Sequence, residues 1–279
     1  MAYKSLLTVL TDINLVNEPL EQTITLAAAL DAHIDVLSLG VDRSQVGYYY
    51  AGANAMVLQE TINRAQGEAE DLDKFAKDRL KRTNARWASS TSVAALADLG
   101  RHVATPARFS DLVILPQPYG KDQGPEVEAV VEAALFEGKA PVLVVPADAA
   151  PMTTPKRIVL GWNQSAEALV AIKAALPFLQ AAEMVHIAVI DPPSHGQDRS
   201  DPGGPVSQML SRHGVSCEID VLSKSMPRIS DVLNRHVLDV DADLVVMGAY
   251  GHSRLREAIL GGATRYMLEQ AKAPVFMAH

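Results

Sequence analysis

Short runs rich in Val, Ile and Leu alternate with stretches of helix length along the whole chain, and the alternation is gone through twice. Such runs are apolar at successive positions rather than at every second one, so both of their faces must be covered. A parallel sheet with helices on each side meets that requirement. In the first half the pattern predicts strands over 5–10, 34–41, 86–90, 111–115 and 140–146, with helices over 17–32, 55–84, 93–107 and 126–137. In the second half it predicts strands over 157–162, 185–190, 217–222, 242–248 and 273–278, with helices over 166–182, 205–213, 229–238 and 262–271. SDLVILP (110–116) is echoed by ADLVVMG (242–248), and APVLVVP (140–146) by APVFMAH (273–279), which marks an internal duplication. The weakly patterned, proline-bearing ADAAPMTTP (147–155) reads as a linker between domains at 1–147 and 155–279.

Composition narrows the partners. The 279 residues are 48% hydrophobic, enough for two well-buried cores, and the net charge is −8. That charge, without clustered Lys and Arg, argues against a nucleic-acid or anionic-membrane surface. No apolar run reaches membrane-spanning length, the N-terminus has no signal-peptide layout, and a single Cys217 cannot form an internal disulfide. A cytoplasmic protein is the expectation.

The most informative local segment is GAYGHSRLREAILGGATR (248–265). It follows the apolar run 244–247 and ends where a helical stretch begins. Gly248, Gly251 and Gly261 let backbone amides gather around an anion at that helix start, which Gly262, Ala263, Thr264 and Arg265 open. The glycine spacing is neither the dinucleotide fingerprint nor the Walker A pattern. A KH-type RNA loop also carries G-x-x-G, but it joins two helices in a smaller unit and needs basic surroundings that are missing here. Arg254, Arg256 and Arg265 are within reach of a phosphate bound by such a loop.

The segment resembles the nucleotide-binding loop of the universal stress protein family, and the order of elements in both halves is similar to that family's. The resemblance implies two tandem doubly wound α/β domains, each with a five-stranded parallel sheet flanked by helices, packed as a pseudo-dimer. It implies that Gly248, Gly251 and Gly261 hold the ribose and phosphates of ATP, with or without Mg2+, and that Met247 lies near the adenine. Two positions depart from the family pattern. Gly262 stands where Ser or Thr is usual, with Thr264 two residues on, and Asn163 stands where the family has Asp at the end of its first strand. The amide of Asn163 keeps an acceptor oxygen and adds a donor, but the charge is gone.

The first half departs further. Its counterpart, LPQPYGKDQGPEVEAVVEAAL (115–135), has Pro116 and Pro118 where amide donors are needed and a shifted glycine pair, Gly120 and Gly124, so no nucleotide is expected there. Ser165 reads as a helix N-cap rather than a nucleophile. The eight histidines show no ligand spacing on any one element, so no metal site is expected. The charged stretch 68–82 reads as a solvated helix face, and Tyr48-Tyr49-Tyr50 as a lid or a packed loop. These readings favour a stress-response protein that binds an adenine nucleotide, acts through conformational change or protein partners, and is a homodimer when it assembles. A slow ATPase or phosphoryl-transfer enzyme and a scaffold without nucleotide remain alternatives, and no catalytic base can be named for the enzyme reading.

Overall fold

The computed structural model describes residues 3–43, 55–120, 123–192, 201–249 and 262–279. They form two compact units, Tyr3–Ala140 and Pro141–His279.

In the first unit the order is β1 (Ser5–Leu10), α1 (Asn17–Leu30), β2 (His33–Asp42), α2 (Ala55–Leu80), β3 (Arg86–Ala95), α3 (Leu99–Ala107), β4 (Leu112–Pro116) and α4 (Pro125–Glu132), the last prolonged by a wide helical turn, Ala133–Glu137. Within it the strands lie in the order β3-β2-β1-β4, all parallel. The second unit holds β5 (Val142–Val145), β6 (Arg157–Gly161), α5 (Ala166–Ala174), α6 (Leu176–Ala181), β7 (Met184–Ile190), α7 (Gly204–Arg212) and β8 (Cys217–Leu222). It continues with α8 (Ile229–Asp239), β9 (Leu244–Gly248), α9 (Ala263–Gln270) and β10 (Val275–Ala278). Its order is β5-β10-β9-β6-β7-β8, parallel except where β5 meets β10. This is the α/β class expected from the alternation: mostly parallel sheets flanked by helices.

Burial follows strand position. Every residue of β4, β5 and β10 is buried, whereas β3 and β8, at the ends of the order, carry exposed polar residues along their length. Helices cover the sheets through one stripe each. On α2 the stripe is Ala65, Ala69, Leu72, Ala76 and Leu80, at helical spacing, and the charged residues between them are solvated as expected.

The duplication extends to single hydrogen bonds. Asp111 Oδ2 accepts from the amides of Lys4 (2.7 Å) and Ser5 (3.0 Å) at the start of β1. Asp243 in the second unit accepts from the amides of Lys156 (2.8 Å) and Arg157 (3.1 Å) at the start of β6. The Asp of each SDL or ADL run is therefore an anchor that sets where the first strand begins beside the fourth. The echoed strands β5 and β10 pair with each other antiparallel, Val142 with Met277, Leu143 with Phe276 and Val144 with Val275. Equivalent positions exchange partners about the Leu143–Phe276 pair, a self-complementary register that only a repeated sequence gives.

Three elements differ from expectation. β3 runs to Ala95 because β2 offers partners from His33 to Asp42, and the small Ser, Thr and Ala residues of 88–95 follow it, which shortens the helix that comes next. The helix expected over 166–182 is two, α5 and α6, because Pro177 has no amide to donate and its ring crowds the preceding turn. α2 ends at Leu80 rather than 84.

Two substitutions test this packing by urea unfolding. Phe276 is fully buried and meets Phe178 edge to face, 6.1 Å between centroids, so Phe276→Ala is expected to cost about 3–5 kcal/mol. Asp243→Ala strands two strand-end amides without their acceptor and is expected to cost roughly 1–3 kcal/mol. Losses below about 0.5 kcal/mol for either would contradict the roles given to them.

Candidate functional site

In each unit the first strand lies between neighbours whose connections leave in opposite directions: β1 between β2 and β4, and β6 between β7 and β9. The crevice at the carboxyl ends of those strands is where an open α/β sheet presents backbone and side chains to a ligand.

In the second unit Gly161 at the end of β6 lies in register with Met247 on β9, so Asn163 and the pair Met247-Gly248 reach the same edge. Asn163 is exposed, and its Oδ1 accepts from the amide of Ser165 at 3.1 Å, closing a turn after the strand. Ser165 Oγ in turn accepts from the amide of Ala168 at 3.1 Å, so Ser165 is the N-cap of α5. Gly248 has to be glycine for a steric reason. A Cβ there would lie 2.5 Å from the amide nitrogen of Ala168 and 2.7 Å from the carbonyl carbon of Glu167, so the α5 N-terminus packs against bare backbone.

α9 begins at Gly262, which has no side chain to cap it, and the helix runs back toward the start of β10. Because β10 is parallel to β9, the α9 N-terminus must face the edge reached by Met247 and Gly248. Arg228, at the N-cap of α8, stacks over the Tyr266 ring 3.7 Å from its centroid, which joins the starts of α8 and α9. Thr264 is buried in the first turn of α9, while Ala263 and Arg265 are exposed. Thus Asn163, Met247, Gly248, Gly262, Ala263, Thr264 and Arg265 belong to segments that meet at one sheet edge. Gly251 and Gly261 lie outside the described residues, as do Arg254, Arg256, His252 and Tyr48-Tyr49-Tyr50.

The corresponding edge of the first unit is built otherwise. A cavity of about 590 Å³ opens there, lined among others by Thr11, Asp12, Arg43, Glu68, Gly124 and Glu126. α4 starts with Gly124 and Pro125, and the side chain of Glu126 folds back over that start: a Cβ on Gly124 would lie 2.3 Å from Glu126 Oε2. Glu126 is buried, and its Oε1 accepts from Arg43 Nε at 3.0 Å and Nη2 at 2.6 Å, while Arg43 Nη1 donates to Glu68 at 2.9 Å. Burial works against the Arg43 charge, but the hydrogen bonds it donates to Glu126 and Glu68 outweigh it and hold the guanidinium above the ordinary arginine range. The chain's own carboxylate therefore occupies the positive end of α4 and engages the nearby cation.

Sequence reasoning named neither this pair nor Asp12, whose Oδ1 accepts from the amide of Asn14 at 2.8 Å. A glutamate one residue after Pro125 at a predicted helix start was the available signal. It also found no ligand spacing among the histidines, and on any single element that holds. Three different elements nevertheless bring His186, Asp220 and His236 together. No described helix is long and apolar enough to cross a membrane.

Comparison with known proteins agrees with the architecture. The model of the universal stress protein family matches residues 154–279. Universal stress protein Slr1230 of Synechocystis is 25% identical over 140 residues, covering 48% of this chain and 45% of that relative, so the match spans about half of each. A universal stress protein from Archaeoglobus fulgidus shares the fold with a TM-score of 0.73 at 14% identity, covering 98% of this chain and 95% of the other. A putative universal stress protein from Pseudomonas aeruginosa does so with a TM-score of 0.60 at 16% identity, covering 99% and 93%. Residues 154–279 are thus similar in sequence to the universal stress protein family, and the fold of the chain is similar to that of its solved members.

Proposed function

We propose that the second unit binds an adenine nucleotide, ATP in the first instance, at the edge where β6 and β9 part, and that the first unit binds none. The observation that carries this reading is the contrast between two equivalent helix starts. At α9 the residues that begin the helix are Gly262 and Ala263, and no side chain among the described residues caps the helix start, which suits an external anion. α4 begins with Gly124 and Pro125, the latter without an amide to donate, and at the next position, where α9 has Thr264, the Glu126 carboxylate lies over the helix start.

In this reading Gly248, Gly251, Gly261 and Gly262 contribute backbone to the ribose and phosphates, Thr264 and Arg265 stand in the first turn beside them, and Met247 adjoins the adenine. Asn163 turns its Oδ1 to the Ser165 amide and keeps its Nδ2 as a donor, so the protein supplies no carboxylate to a metal at this point. Mg2+, if it accompanies the nucleotide, is then held through phosphate oxygens. With a cradle and a cation but no base in the described part of the edge, binding is favoured over phosphoryl transfer. The protein acts by changing its conformation, or its affinity for a protein partner, when the nucleotide is bound, as a cytoplasmic protein that is homodimeric when it assembles. The free Cys217 fits a reducing compartment.

Calorimetric titration of the full chain with ATP is expected to give one site per chain. Gly251→Val should abolish it while leaving the circular dichroism spectrum unchanged, and purified protein should release phosphate at well under about 1 s⁻¹, below the range of typical kinases. Two sites per chain, or unaltered binding in Gly251→Val, would refute the assignment. Faster turnover that is lost in Gly251→Val would instead establish an enzyme.

A further inference from the structure

Within the second unit, β7 and β8 run side by side with His186 opposite Glu218 and Ala188 opposite Asp220. Residues two apart on a strand share a face, so His186, Glu218 and Asp220 project from one side of this sheet edge. α8 carries His236 to the same place. His186 Nδ1 lies 3.0 Å from Asp220 Oδ2 and 2.8 Å from Glu218 Oε1, and His236 Nε2 lies 2.8 Å from the same Asp220 Oδ2. The two imidazoles are edge to face with centroids 6.0 Å apart, and both histidines are only 8% exposed. The ligand atoms of His186, Asp220 and His236 all lie within 4.8 Å of one another.

Hydrogen bonding alone leaves this group mismatched. His186 Nδ1 can donate a single proton yet faces two carboxylate oxygens, one of Glu218 and one of Asp220. Among the described residues the ion pairs of Glu218 and Asp220 are to these histidines, with no Lys or Arg in the set. Two carboxylates and two inward-facing ring nitrogens are a ligand set for one cation. Zinc takes His nitrogen and carboxylate oxygen at about 2.0–2.2 Å, which separates ligand atoms by roughly 3.3–3.5 Å in a tetrahedron. Rotation of the side chains would open the separations of 2.8–3.0 Å by a few tenths of an ångström and close the wider ones, which reach at most 4.8 Å. Imidazole donors also favour zinc over magnesium or calcium, which prefer oxygen throughout.

We propose that His186, Asp220 and His236, completed by Glu218, form a zinc-binding site that ties α8 to the outer edge of the second sheet. The site stands apart from the nucleotide edge and does not depend on that reading. Cys217 takes no part in it, since its thiol faces Ser207 on α7, on the other side of β8.

The test uses the full chain without an affinity tag, stripped with a chelator and titrated with zinc sulfate. One zinc per chain is expected, held against excess Mg2+, with a higher melting temperature in its presence. His236→Gln and Asp220→Asn, each checked for an unchanged circular dichroism spectrum, should weaken binding about tenfold or more, since even outer partners of metal ligands carry that much. Should a buried variant fail to fold, Glu218→Gln at its exposed position decides, with a smaller but measurable loss expected. Absence of stoichiometric zinc in the parent chain, or affinity unchanged in the folded variants, would overturn the proposal.

Discussion

Everything the second unit presents to a nucleotide depends on β6 being held between β7 on one side and β9 on the other. Crossovers from the central strand leave in opposite directions, so a crevice opens at its carboxyl end, and only there. The arrangement is fixed by burial, because Ile158–Leu160 of β6 and Leu244–Val246 of β9 are buried, and by register, because Asp243 ties the start of β6 to the start of β9. Asn163, Met247 and Gly248 are neighbours for that reason and not through any bond among themselves. The close seat of α5 on Gly248 brings the α5 N-terminus to the same edge.

The two units show how one scaffold diverges at a single helix start. Their central strands and their anchoring aspartates remain equivalent. What has changed is the residue chemistry at the strand ends. In the first unit Glu126 Oε1 engages Arg43 while Oε2 lies over Gly124 at the α4 start without a hydrogen-bond partner, and a carboxylate in that place repels a phosphate. In the second unit the residue at the position of Glu126 is the uncharged Thr264.

Strands buried on both faces were legible in the sequence because burial leaves a continuous apolar run, as in SDLVILP and APVLVVP, and the repeat was legible because both copies keep those runs. The Ser165 cap was legible because capping is local chemistry. The extension of β3 to Ala95 was not, since its residues carry no period and follow the length of β2. The break between α5 and α6 was signalled by Pro177 and outweighed by the apolar spacing around it. The His186, Asp220 and His236 group was invisible for another reason: its members come from two strands and a helix, and only the register of β7 on β8 and the seating of α8 bring them together. The glycine spacing around 248–262 pointed to an edge, and the fold puts its described members at one.

The central claim, a nucleotide at the second edge alone, is tested most directly by amide hydrogen exchange with and without ATP. Slower exchange is expected in peptides covering 161–168 and 247–266, with no change in peptides covering 11–16 and 123–130. Protection at the first unit's edge, or at neither, would contradict it.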